Sequence, residues 1–231
     1  MKFISAIFPV VALLVGNQLG FAQGFVNLDF EDATIAPTPV GGATYPADPA
    51  QCFPGWTIGN AYGSYLAVSY NDLSLGSPAI SLMGPDFPNF AGYAPLEGSY
   101  SVLLQYFGLA AGPPTLSQTG LVPNDAQSIS LLVPPGENSV YPAYMVVTLN
   151  GINIPLVPIA DGRVAGNVSA FAGSVSQLTL STVNVNPNSS VWLYFDDIQF
   201  SSSSVPEPSQ LALTALGAVL LGFRRRRNLM R

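Results

Sequence analysis

Twenty-two glycines and 21 prolines are spread along this 231-residue chain, and they leave little room for helix. Glycine costs a helix interior about 1 kcal/mol and proline about 3. What lies between the breakers is short, β-branched and aromatic. Phe25–Phe30, Ser64–Ser69, Tyr100–Tyr106, Ser128–Val133, Tyr144–Leu149, Ile152–Leu156, Gln177–Val183 and Val191–Phe200 read as strands. The sharpest local signal is Val147–Ile154, where Asn150-Gly151 supplies two residues that accept positive φ and so favours a two-residue type I′ hairpin. Asp161-Gly162 is a second turn of the same kind. Nowhere in the body do apolar residues recur at spacings of three and four between caps. Strands without helices predict an all-β fold, a single β-sandwich of the jelly-roll kind.

Charge divides the chain into three parts. Only 9% of the residues are charged, the net charge is −6, and there is no histidine. The bases are Lys2, Arg163, Arg224, Arg225, Arg226, Arg227 and Arg231, so between residues 23 and 204 Arg163 stands alone against twelve acids, or 1 − 12 = −11. Such a body cannot neutralise phosphates, which excludes nucleic acid as a partner. The lack of histidine removes His-based triads, acid–base catalysis and zinc sites. Cys52 is the single cysteine, so no internal disulfide forms, and without a histidine partner it is a packed residue or a free thiol rather than a nucleophile.

Both ends read as addresses. Residues 1–22 have the form of a secretory signal: Lys2, an apolar stretch Phe3–Val15, and small residues Gly20 and Ala22 before a cleavage point. The alternative is a buried or membrane-spanning N-terminal helix. Signal peptidase is the implied partner. At the other end a serine run, 201–204, reads as a flexible linker after a sandwich domain of residues 23–200. Val205-Pro206-Glu207-Pro208 follows, then the apolar run Leu211–Phe223, then Arg224, Arg225, Arg226 and Arg227. As a helix the apolar run spans about 20 Å, short of the ~30 Å hydrocarbon core. Arginines resist translocation and stay cytoplasmic, so the arrangement predicts a temporary stop in the membrane with the body outside.

This tripartite end, residues 205–231, resembles the PEP-CTERM sorting signal of Gram-negative bacteria. The resemblance implies recognition at Pro206-Glu207-Pro208 by an exosortase-type membrane protease, transient insertion of the C-terminal helix in the inner membrane, and export to the cell surface or to an exopolysaccharide or biofilm matrix. The alternative is an ordinary tail anchor.

The body carries Val26-Asn27-Leu28-Asp29-Phe30-Glu31-Asp32, then Phe53-Pro54-Gly55-Trp56, and closes on Val191–Phe200 with Asp196-Asp197 inside it. These segments resemble the galactose-binding-like jelly rolls, which include many carbohydrate-binding modules. The resemblance implies a structural calcium ion where the opening Glu meets a closing Asp: Glu31 and Asp196 first, Asp29 and Asp197 next. Calcium takes six to eight oxygens, and clustered carboxylates without a cation repel. The alternative is that these acids solvate edge strands. Strand alternation predicts that Asp196 and Asp197 face opposite ways, which makes them a poor acid/base pair, and no carboxylate pair stands out as a glycosidase site. The chain therefore reads as non-catalytic, with a glycan-active enzyme as the remote alternative. Two functions remain: a structural matrix protein without a dedicated ligand, and a glycan-binding module. Tyr65, Tyr70, Tyr93 and Tyr100 are the sugar-stacking candidates for the second. Adhesion to a protein partner is a third reading that sequence does not separate.

Overall fold

A computed structural model describes residues 23–36, 43–60, 67–73, 79–87, 94–107, 112–137, 139–183 and 190–205. The expected signal helix, the Leu211–Phe223 helix, Pro206–Pro208 and the arginine cluster lie outside the described residues.

Apart from one short α-helix, α1 (Pro49–Cys52), and two single 3-10 turns at Tyr141–Ala143 and Ser169–Phe171, the regular structure of the described residues is strand. They are β1 (Thr57–Asn60), β2 (Ala67–Tyr70), β3 (Ala79–Met83), β4 (Ser101–Phe107), β5 (Pro114–Leu121), β6 (Ser128–Leu132), β7 (Met145–Leu149), β8 (Ile152–Asn153), β9 (Leu156–Pro158), β10 (Arg163–Asn167), β11 (Val175–Thr182) and β12 (Ser190–Ser201). Five make one sheet in the order β1-β5-β11-β7-β8, and seven make the other, β2-β3-β4-β12-β6-β10-β9. From β4 onward the chain passes back and forth between the two sheets, as a jelly roll does. The expected sandwich is thus the fold.

The apolar side chains of both sheets meet in one core. Leu116, Val147, Leu149, Leu178 and Leu180 come from the smaller sheet; Ile80, Leu82, Val102, Leu104, Ile129, Leu131, Val164, Leu193 and Phe195 come from the larger. The larger sheet is also covered locally on its outer face, where Met83, Leu103 and Tyr194 pack beneath Leu73, Phe87 and Leu96. That explains why β3, Ala-Ile-Ser-Leu-Met, is buried at every position. Covered on both sides, it shows no alternation, and the sequence gives it no strand signature. β1, β5 and β10 were equally silent. In β5 the inward positions include Gln118 and Gly120, so polar residue types hide a regular in–out pattern.

Several expected boundaries move. Phe25–Phe30 is not a strand: Asn27 and Phe30 have φ of 49° and 60°, which breaks extended backbone. Ile152–Leu156 splits at Pro155 into β8 and β9, which belong to different sheets, since proline cannot donate to a ladder. Of the expected Ser64–Ser69, residues 64–66 lie outside the described residues, and Ala67–Ser69 belongs to β2, which runs on to Tyr70. The serine run is not a free spacer either. β12 continues through Ser201, whose carbonyl accepts from Gln127 N at 2.7 Å, and Ser128 Oγ donates to Ser203 O at 2.7 Å. The hairpin at Asn150-Gly151 forms as expected, with φ of 51° and 77°.

Candidate functional site: a five-carboxylate cavity

Three separate stretches of sequence build the site by meeting at one aromatic cluster. Phe30 is fully buried, and its ring lies 5.5 Å from Trp56, 6.4 Å from Phe53 and 6.0 Å from Phe195. Asn27 fixes the turn that delivers it. Trp56 Nε1 donates to Asn27 O at 2.9 Å, Asn27 Nδ2 donates to Pro54 O at 3.0 Å, and Asp32 N donates to Asn27 Oδ1 at 3.0 Å. The turn points Phe30 into the core and swings the next residue, Glu31, toward the loop that precedes β4.

There Glu31 Oε1 accepts from Ser99 N at 2.8 Å and from Tyr100 N at 2.9 Å. Gly98 is needed twice over: its φ is +57°, and a Cβ there would collide with the Glu31 carboxylate. Asp196, 1% exposed, accepts at Oδ2 from Ser101 Oγ (2.7 Å) and Glu97 N (3.2 Å), and at Oδ1 from Asp197 N (2.7 Å). Asp197 Oδ2 accepts from Arg163 Nη1 at 2.8 Å and from Gln199 Nε2 at 2.5 Å. Arg163 also donates to the Asp197 carbonyl and, through Nε, to Ser130 Oγ at 3.2 Å. The only base of the body is therefore spent here.

Asp29, Glu31, Glu97, Gly98, Asp196 and Asp197 line one cavity of about 250 Å³. All four acids singled out from sequence are together in it. The expected opposition of Asp196 and Asp197 is overturned: β12 shifts register against β6 between Asp196 and Gln199, and Asp197 has a φ of 40°. The bulge inserts a residue and turns both carboxylates to the same side. Glu97 is the acid that sequence reasoning missed. It lies in a loop before β4 with no patterned neighbours, and only the approach of β12 gives it a role.

The cavity is electrostatically unfavourable as it stands. Burial pushes the Asp196 carboxyl up from 3.8 to about 7, against the pull of the Ser101, Asp197 and Glu97 donors, with the Glu31 charge adding to the rise. The Glu97 carboxyl is raised too, first by its hydrogen bond to the Asp197 carboxyl and by that group's charge. Two carboxyls can share a hydrogen bond only by holding a proton between them. A hard cation would replace that proton, and carboxylate and carbonyl oxygens are the donors it takes. Among the described residues, however, no group of three acids, cysteines or histidines is already arranged as a metal-holding set. Their oxygens are engaged instead by backbone amides and by the Ser101, Arg163 and Gln199 side chains, so a cation would have to draw them inward.

The tyrosine candidates fare differently. Tyr70 is 1% exposed and its hydroxyl donates to the Asp86 carboxylate, so it offers no face to a sugar. Tyr100 is half-buried, tilted against Tyr70 at 6.5 Å. Tyr65 and Tyr93 lie outside the described residues. Cys52 is buried and its thiol is pushed up to about 12, chiefly by burial, the mark of an inert packed residue.

Residues 204–227 match the PEP-CTERM protein-sorting motif. The motif marks an exported, exosortase-sorted protein whose C-terminus is held in the membrane before cleavage. Among the described residues no helix is long and apolar enough to cross a membrane. No curated protein matches the chain in sequence. Among solved structures, the K2 cleaved adhesin domain of Lys-gingipain is similar at 13% identity and a TM-score of 0.37, covering 78% of this chain and 98% of that one. TmCBM61, solved in complex with β-1,4-galactotriose, is similar at 12% identity and a TM-score of 0.29, covering 64% of this chain and 89% of that one.

Proposed function

We propose that this is a non-catalytic surface or matrix protein whose sandwich is fastened by a divalent cation, calcium by chemistry, in the five-carboxylate cavity. In this reading the arginine cluster stays cytoplasmic until exosortase releases the body, which is then retained at the cell surface or in exopolysaccharide. The supporting observation is the convergence of Asp29, Glu31, Glu97, Asp196 and Asp197 on one cavity with Arg163 as the only nearby base. A cation there would join the opening turn, the loop before β4 and the middle of β12, three segments far apart in sequence. It would add stability to the folded state in proportion to its affinity. The test is thermal melting of the purified body at pH 7.5 with chelator and with millimolar calcium, alongside calorimetry. A melting temperature that rises with calcium, and not with equal ionic strength of potassium, is the expected result. No heat of binding and no rise sinks the reading.

A glycan-binding role is favoured by one observation, and not at the tyrosines. Trp192 is 47% exposed on the outer face of the seven-stranded sheet, where an indole is costly to leave in water. Its cross-strand partner is Gln105, which is 3% exposed with Nε2 unpaired among the described residues. Directly paired residues share a face, so the exposed aromatic surface lies beside an amide that the fold covers. A neutral polysaccharide suits a body of charge −11 better than an anionic one. In affinity gel electrophoresis, neutral glycans should retard the body, and Trp192→Ala should abolish the retardation. Equal migration of the two forms on every glycan removes this second role.

A further inference from the structure

The chain enters the body at Gln23. Its carbonyl accepts from Leu121 N at 2.9 Å, and Gly24 forms a parallel bridge with Leu121. The next residues are strapped down just as firmly. Phe25 stacks on Phe200 with ring centroids 5.3 Å apart. The Gln118 carboxamide clasps Val26, accepting from its N at 2.6 Å and donating to its O at 2.9 Å. Leu28 O accepts from Ile198 N at 3.0 Å. The strap thus holds Gln23 by its carbonyl side only. The residue is exposed, and neither its backbone nitrogen nor its side-chain carboxamide has a hydrogen-bond partner among the described residues.

We propose that Gln23 is a modification site: cleavage after Ala22 makes it the first residue of the exported protein, and it then closes to pyroglutamate. This rests on the reading of residues 1–22 as a secretory signal. In the closure the freed α-amino nitrogen attacks Cδ of the same residue. A C–N bond forms, the Cδ–Nε2 bond breaks, and ammonia leaves with the proton given up by the attacking nitrogen. No oxidant or other reactant is consumed. The step involves only the two groups that the fold leaves unpaired. The carbonyl that anchors the strap is not part of the new ring, so the bond from Leu121 N survives and no contact of Phe25 or Val26 has to move.

The consequence follows from the charge pattern. A free α-ammonium would be one of two cations in the body, the other being Arg163. Closure removes it and leaves a terminus without an amine, which aminopeptidases cannot engage. The strap already prevents fraying from Phe25 onward; the lactam closes the one point of attack it leaves open.

The test uses the full chain, secreted from a Gram-negative host under its own N-terminus. The processed protein is dimethylated at free amines while intact, then digested, and its N-terminal peptide is identified by mass. The expected peptide begins at residue 23, carries no label, and is about 17 Da lighter than the glutamine form, the mass of ammonia. The Gln23→Ala protein, cut at the same place, should be labelled in full. A peptide that begins at Gln23 and still takes the label after days at neutral pH overturns the proposal while leaving the signal reading intact. A processed first residue other than 23 overturns the proposal, and a secreted chain that still begins at Met1 overturns the signal reading with it.

Discussion

Asp196 concentrates the chemistry of the body in one side chain. It is a carboxylate with 1% of its surface exposed, held by three donors yet still raised to about 7. The sign of its effect follows directly. Its folded pKa lies above its unfolded value of 3.8, so between about pH 4 and pH 7 the folded state binds more protons than the unfolded chain, and stability falls as pH rises through that window. Each such proton is worth about 1.4 kcal/mol per pH unit, or roughly 3–6 °C in melting temperature for a domain of this size. Asp196→Asn should flatten the slope of melting temperature against pH between 4 and 7 by about that amount in metal-free buffer, measured by calorimetry; an unchanged slope would place the titration elsewhere. The aspartates and Glu31 were legible in the sequence because they sit in short recognisable segments. Glu97 was not, because nothing local distinguishes it from any other loop acid.

β12 shows what the element scale adds. Its apolar alternation, Val191, Leu193, Phe195, made it the plainest strand in the chain, and it is central to the larger sheet. Alternation continued through Asp196-Asp197 predicts opposite faces, and the fold breaks it there, because a bulge obeys the pairing of neighbours and not the period of its own strand. On the side away from β4, among the described residues, the strand is open over part of its length: β6 reaches it only from Asp196 onward. Tyr141 fills the gap, its hydroxyl donating to Tyr194 O at 2.6 Å and accepting from Tyr194 N at 2.8 Å. One side chain thus satisfies a donor and an acceptor that a strand would otherwise take. Tyr141→Phe removes both hydrogen bonds to the buried Tyr194 backbone, at about 1–3 kcal/mol for such a loss. Urea unfolding should show a midpoint lowered accordingly, with the m-value unchanged; a shift of under half a kcal/mol would mean that water replaces the hydroxyl.

For the whole molecule, sorting and folding meet with almost no chain between them. The body grips the backbone to Ser203, and the sorting motif begins at 204. Deleting Pro206–Pro208 should leave the precursor in the membrane fraction, while the body, complete without them, keeps its melting temperature; release into the medium at the normal rate would disconnect the motif from processing. The sequence alone determined the C-terminal sorting motif, the all-β class, the Asn150-Gly151 hairpin and the acidic character. Each of these depends on residues adjacent in the chain or on simple counts: a turn needs two positive-φ residues in a row, and a membrane stop needs an apolar run beside arginines. The tertiary structure decided which acids share a cavity, which strands are buried on both faces, and that the serine run is part of the body. It also buried Tyr70 and left Trp192 exposed. Those outcomes depend on register and on contacts across many tens of residues, such as Glu31 with Ser99 and Asp196 with Glu97. A strand's own sequence fixes the direction its side chains alternate, but only its neighbours fix where that alternation slips.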